Sequence, residues 1–260
     1  MKKFSLYLCF VPLLWAGSGD TRSPVIVELF TSEGCSSCPP ADDLLARLQH
    51  NQNISNARVI ALEEHVDYWN HLGWTDPFSS ALYSARQNEY AAAFKVDSVY
   101  TPQMIINGRV EFVGNSGGRA TSEIQRAALE PMATVRLHLL PNRKNNELTD
   151  LAVNISDLPP IRINGKKGGQ QLDIYLAMTE DNLSSDVPRG ENAGHRLRHA
   201  SVVRSFGVIG QMDPGKQDSI GLQPTLKFPN EWKRENVKAV VFIQEHTSKR
   251  IIGAESLNIQ

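Results

Sequence analysis

At 260 residues, with 41% apolar and 21% charged side chains, the chain is long enough for one large or two ordinary domains and too apolar to be disordered. A formal charge of −1 excludes a generally basic surface of the kind that coats nucleic acid.

The chain opens on Lys2 and Lys3, followed by the apolar run "FSLYLCFVPLLWA" and the small residues Ala16 and Ser18. This is the make-up of a signal peptide over residues 1–18, and the run is shorter than the ~20 residues of a membrane span. The expectation is an exported protein, periplasmic or secreted, with no membrane attachment after cleavage. Cleavage would remove Cys9 and leave Cys35 and Cys38.

From residue 22 to 131, strand and helix patterns alternate. "VIVELF" is a short apolar strand, and Ala41, Leu44, Leu45 and Leu48 share one helical face. "ARVIALEEHV" is a second strand. "DPFSSALYSARQNEYAAAFKV" reads as a helix with Asp76 and Pro77 as start signals. "PQMIING" and "RVEFVG" form a hairpin about Asn107-Gly108, and "RATSEIQRAALE" closes as a helix before Pro131. The expected order is β-α-β-α-β-β-α. From 132 to 260 the texture changes to alternating apolar and polar residues between turn clusters, with "RLRHASVVRSFGVI" as one of the strands. That predicts an all-β, antiparallel, sandwich-like domain.

The chemistry lies in "TSEGCSSCPPAD". The nucleophile is a thiolate, and a helix N-terminus favours the anion through unpaired N–H groups and the helix dipole. Cys35 sits at the mouth of the predicted helix and Cys38 one turn on. Cys35 is therefore assigned as the attacking thiolate and Cys38 as the resolving thiol, with Ser36 and Ser37 as hydroxyl donors between them. A two-residue gap makes a poor staple, because so short a loop removes little chain entropy.

"VELFTSEGCSSCPPAD" and "VYTPQMIING" resemble the active-site strand, turn and helix of thioredoxins and the loop that faces them. The resemblance implies a thioredoxin-like fold for 22–131. It also implies that Pro102 is cis and that Thr101 offers its backbone to an extended substrate. Glu28, on the strand face shared by Ile26 and Phe30, would then be a buried carboxylate relaying a proton to the resolving thiol. "HVDYWNHLGWTDPFSSALYSARQNEY" and "GENAGHRLRHASVVR" extend the likeness to exported bacterial thioredoxin-like proteins of unassigned function with a β-rich C-terminal half. Ser-Ser replaces the Gly-Pro of thioredoxins between the cysteines.

Trp69 and Trp74 lie in an inserted aromatic loop and either line a substrate site or pack beneath that loop. His65-x5-His71 and His195-x3-His199 have zinc-type spacing and either pair could complete a set with the cysteines. The histidines at 195 and 199 are expected on a strand surface beside Arg196 and Arg198. The functional expectation is a thiol–disulfide oxidoreductase acting on protein thiols and disulfides, with no cofactor beyond the Cys35–Cys38 pair. The alternatives are a non-catalytic module that docks a protein partner, and a copper- or zinc-handling protein using the cysteines plus histidine.

Overall fold

The structure, a computed structural model, describes residues 20–142, 148–163, 166–167 and 171–259. The expected leader lies outside them, and no helix among the described residues is long and apolar enough to cross a membrane.

Strand β1 (Ser23–Thr31) runs parallel to β2 (Ala57–His65), with Val27 opposite Ala61 and Thr31 opposite His65. Both are buried almost throughout because both of their faces are covered, and polar residues they carry, Glu28, Glu63, Glu64 and His65, are buried with the rest. The crossover is α1 (Pro39–Asn51), whose Ala41, Leu44, Leu45 and Leu48 pack on Val25, Val27 and Leu29. Leu45 is fully buried, and its truncation to alanine would cost about 2–5 kcal/mol. Helix α1 ends at Gln52 in the left-handed conformation, φ 44°.

Helix α2 (Ala81–Phe94) begins five residues later than Asp76 suggested. Its cap is Ser80, which accepts from the Leu82 N–H, while the Asp76 carboxylate is drawn inward to other partners. Strands β3 (Gln103–Ile106) and β4 (Val110–Val113) form the hairpin, with Asn107 and Gly108 at φ 46° and 60°. A Cβ on Gly108 would lie 1.8 Å from the Lys249 carbonyl oxygen, so only glycine fits. Helix α3 (Gly117–Ala127) follows.

The remaining chain is strand-rich. It comprises β5 (Thr134–Pro141), β6 (Thr149–Ser156), the short β7 (Arg162–Ile163) and β8 (Lys166–Lys167), then β9 (Leu172–Glu180) and β10 (Leu183–Asp186). After these come β11 (Arg196–His199), β12 (Val202–Met212), β13 (Ile220–Leu222), β14 (Thr225–Leu226), β15 (Val237–Glu245) and β16 (Ile251–Asn258). The single strand expected over Arg196–Ile209 is broken at Ser201, whose φ of 57° turns the chain. Strand β11 leaves with β10 as a two-stranded ribbon, and β12 enters the main sheet.

That sheet has eight strands in the order β16-β15-β9-β12-β2-β1-β3-β4 and runs through both halves of the chain. The seam is parallel, Val202 of β12 opposite Glu63 of β2, with the Glu63 N–H donating to Ser201 O at 2.9 Å. A second sheet of β5, β6, β13 and β14 packs on the C-terminal part through Val135, Leu151, Val153, Ile174, Val241 and Ile243. A further core of Ile26, Leu62, Tyr83, Tyr175, Val240 and Phe242 joins the halves.

Candidate functional site at the start of the first helix

Strand β1 ends at Thr31, a tight turn follows, and Cys38 caps α1 with Pro39 and Pro40 in the first helical turn, where a missing N–H leaves no bond unmade. Cys35 and Cys38 form a disulfide with Cα atoms 5.5 Å apart. Ser37 Oγ lies 3.3 Å from Cys35 Sγ. Asp42, one turn beyond Cys38, donates its N–H to Cys38 O and accepts from Thr31 Oγ1 at 2.6 Å. Burial, then the charge of Glu63, pushes the Asp42 carboxyl up to about 7 against the pull of His199 and the Thr31 hydrogen bond.

Cys35 is only 1% exposed. Its turn is held from far along the chain, by the loop between β10 and β11. Asn192 Nδ2 donates to Glu33 O at 2.8 Å and Cys35 O at 3.0 Å. Glu191 accepts from both the N–H and the hydroxyl of Ser36, at 3.0 and 2.6 Å. A segment of the C-terminal half thus straps the cysteine turn, a cover that sequence reading did not anticipate for a residue at the mouth of a helix.

The two tryptophans frame the same turn. Trp69 Nε1 donates to Thr101 Oγ1 at 2.8 Å, and its Cβ presses on Gly34, where an added Cβ would come within 3.0 Å. Trp74 Nε1 donates to Glu33 Oε2 at 2.7 Å. The Thr101–Pro102 peptide bond is cis. Pro102 is buried near Ala41 of α1, since a Cβ on Gly114 would meet both side chains.

Glu28 is placed elsewhere. Its neighbours on β1 alternate faces, so Leu29 points to α1 while Glu28 points to α2. There Arg86 Nη2 lies 2.5 Å from its Oε1, and Tyr90 donates to its Oε2. The Arg86 guanidinium is boxed by Tyr90, Tyr175, Phe206 and Phe242 at 4.9, 5.2, 4.7 and 5.4 Å. Glu64 stands beside them, its carboxyl raised well above the ordinary range by burial and then by the charge of Glu28.

The histidine spacings do not survive. His71 and His195 are exposed, whereas His65 and His199 are buried and lie ring to ring, with centroids 4.7 Å apart. His199 is therefore an interior residue rather than a surface one. The alternation in "RLRH" carried that signal, since Leu197 and His199 share the inward face. His65 Nδ1 lies 2.7 Å from Asp76 Oδ2, and His199 Nδ1 lies 2.7 Å from Glu63 Oε1. Burial opposes protonation of both rings. The charge of Asp76 nevertheless raises His65 well above its usual value, and that of Glu63 lifts His199 to about 9. Glu63 is correspondingly held down to about 2 against its burial, by the charge and hydrogen bond of His199 and by the charge of His65. Neither cysteine belongs to this group.

The chain is a mixed α/β protein with a buried disulfide at a helix start, its turn held by a loop from the β10–β11 ribbon and backed by a buried carboxylate–imidazole cluster. The chain belongs to the family described as "Protein of unknown function (DUF1223)", whose model matches residues 26–244. It is similar to protein AGR_C_4864 from Agrobacterium tumefaciens, at 27% identity and a TM-score of 0.64 over 91% of this chain and 94% of that one. It also shares the fold of HBP35 of Porphyromonas gingivalis, at 14% identity and a TM-score of 0.64 over 93% and 76% of the two chains. No curated protein matches the chain.

Proposed function

We propose that the protein is an exported thiol–disulfide oxidoreductase whose N-terminal half is thioredoxin-like. The observation that carries this reading is the Cys35–Cys38 disulfide at the first turn of α1, directly after a central strand. The nearby Thr101–Pro102 segment, tied to the cysteine turn through Trp69, supports it.

In the reducing half-reaction, a substrate thiolate attacks Cys35 Sγ. The new S–S bond forms as the Cys35–Cys38 bond breaks, and the Cys38 sulfur leaves with the electron pair. A proton neutralises it, and Asp42 is the buried acid one turn away that can supply one. A second substrate thiolate then attacks the mixed disulfide, releasing a substrate disulfide and the Cys35 thiolate. The same steps in reverse reduce a substrate. The two sulfurs carry both electrons, so no further cofactor enters. The strap of Glu191 and Asn192 must lift for Cys35 to be reached.

The test is equilibration with a glutathione redox buffer, followed by turnover of a peptide disulfide. Cys35→Ser should abolish exchange, and Cys38→Ser should accumulate a mixed disulfide through Cys35. The near-complete burial of Cys35 favours a second reading, a docking module whose strap never opens. In that case the native disulfide would resist glutathione until the chain unfolds. Export would be checked by the N-terminus of the protein recovered from its producing cells.

A further inference from the structure

We propose that Glu63, His65 and His199 form a binding site for a divalent transition cation of the zinc class, separate from the cysteines. The potential ligand atoms, one from each residue, lie within 4.8 Å of one another. All three side chains are inaccessible to solvent. His65 Nε2 has no hydrogen-bond partner, a rare condition for a buried ring nitrogen, and it lies 3.4 Å from Glu63 Oε1.

The surroundings are those of a built site. A histidine that binds a metal normally has its other ring nitrogen fixed by a carboxylate or carbonyl, and both rings satisfy this. His65 Nδ1 is held by Asp76 at 2.7 Å, and His199 Nε2 by Glu33 at 3.1 Å. Those carboxylates are anchored in turn. Asp76 Oδ2 accepts the Glu33 N–H at 2.8 Å, its Oδ1 accepts the Phe78 N–H at 2.9 Å, and Glu33 Oε2 accepts from Trp74. Glu63 Oε2 is fixed by the Ala200 N–H at 2.9 Å, which leaves its Oε1 turned toward both rings. With neutral rings the cluster would carry the charges of Glu33, Glu63 and Asp76 unbalanced, and a divalent cation offsets them.

Two nitrogens and one carboxylate oxygen suit zinc and its neighbours rather than calcium or magnesium. Bonds of about 2.0–2.2 Å in a tetrahedron set neighbouring ligands about 3.4 Å apart. The Glu63–His65 separation of 3.4 Å already has that value, and the 2.7 Å between Glu63 and His199 must widen. Three protein ligands leave a fourth position for water.

The experiment uses tag-free, chelator-stripped full-length protein with its disulfide oxidised, so that thiolates are unavailable. Zinc is offered by equilibrium dialysis to the folded chain and, because the cluster is closed, also during refolding. Uptake of one zinc per chain is expected, with cobalt in its place giving visible ligand-field bands. His65→Gln and His199→Gln should each abolish uptake, and the Cys35→Ser/Cys38→Ser double variant should retain it. Should the histidine variants fail to fold by circular dichroism, Asp76→Asn keeps all three ligands and should weaken zinc binding 10–100-fold. The proposal is overturned if the stripped wild type takes up no stoichiometric metal. It is equally overturned if uptake survives the histidine substitutions, if Asp76→Asn leaves the affinity unchanged, or if the cysteine double variant loses the metal.

Discussion

The side-chain amide of Asn192 donates to the main-chain carbonyl of Cys35, 157 residues earlier in the chain, and with its second bond to Glu33 it closes the strap over the disulfide. Each such bond is worth about 1 kcal/mol net, so Asn192→Ala should raise the open population roughly 5–30-fold. The measurement is the rate of dithiothreitol reduction of the native protein, which should rise by a similar factor. Glu191→Ala, on the solvent side of the strap, should raise it less. An unchanged rate in both variants would mean that the cover is not what limits access.

Asp42 yields a pH prediction. Its folded pKa, about 7, lies above the ordinary carboxyl value, so its contribution to stability is full below about pH 4 and is lost as pH rises through 7. Asp42→Asn should therefore be more stable than wild type at pH 8, by roughly 1–4 kcal/mol, with the gap shrinking on acidification. If Asp42 handles the proton of Cys38, the same variant should exchange disulfides roughly 100-fold more slowly and lose the inflection near pH 7. Denaturant melts across pH and stopped-flow exchange rates check the two halves separately.

The buried pair of Glu28 and Arg86 is expected to act on stability and not on exchange. Removing one partner of a buried ion pair costs about 3–5 kcal/mol because the other charge is stranded. Glu28→Gln should lose stability on that scale while its exchange rate stays at the wild-type value. The Glu28→Leu/Arg86→Leu double variant should recover part of the loss. A large drop in exchange rate with unchanged stability would return Glu28 to the role of proton relay.

Asp181 ties α1 to the C-terminal strands. It accepts from Gln49 at 3.0 Å, from the Ser201 N–H at 2.8 Å and from Lys238 at 2.6 Å. Burial opposes its ionisation, but the Lys238 hydrogen bond and charge hold its carboxyl below the ordinary range. A lowered folded pKa gives stability that is present at neutral pH and is lost as pH falls through that value. Asp181→Asn should cost roughly 1–3 kcal/mol at pH 7, with the gap shrinking from about pH 4 downward and closing below the folded pKa. Thermal melts at pH 3 and pH 7 distinguish this from a pH-independent packing loss.

What could be read from the sequence was local. Apolar runs and periodicity located β1, α1 and β2, the Asn-Gly step located the hairpin, and the spacing of Cys35 and Cys38 drew attention to the turn between them. Asp42 was equally accessible, since it lies four residues past Cys38 and so on the same helical face. The rest depended on contacts that no spacing encodes. Asp76 looked like a helix start and serves instead as an acceptor for His65 and Glu33. His65 and His199 meet only because Ser201 breaks the strand and Val202 then pairs with Glu63, a single parallel contact between segments far apart in the chain. Glu191 and Asn192 entered only through the family likeness of "GENAGHRLRHASVVR", and nothing in their spacing pointed to the cysteine turn, because a polar loop on a ribbon reads as solvent-facing until its target is known.

The seam between β2 and β12 bears on how the molecule is assembled. Each half supplies the neighbour that the other's central strand would otherwise lack, so neither is a portable part. Cut at residue 131, the first piece would lose the Ser201 acceptor and the Val202 neighbour of Glu63, and the shared core of Ile26, Leu62, Tyr83, Tyr175, Val240 and Phe242 would be split and laid open to water. The disulfide turn, the loop tied to it and the imidazole pair are therefore finished only once the last third of the polypeptide has been made and folded back.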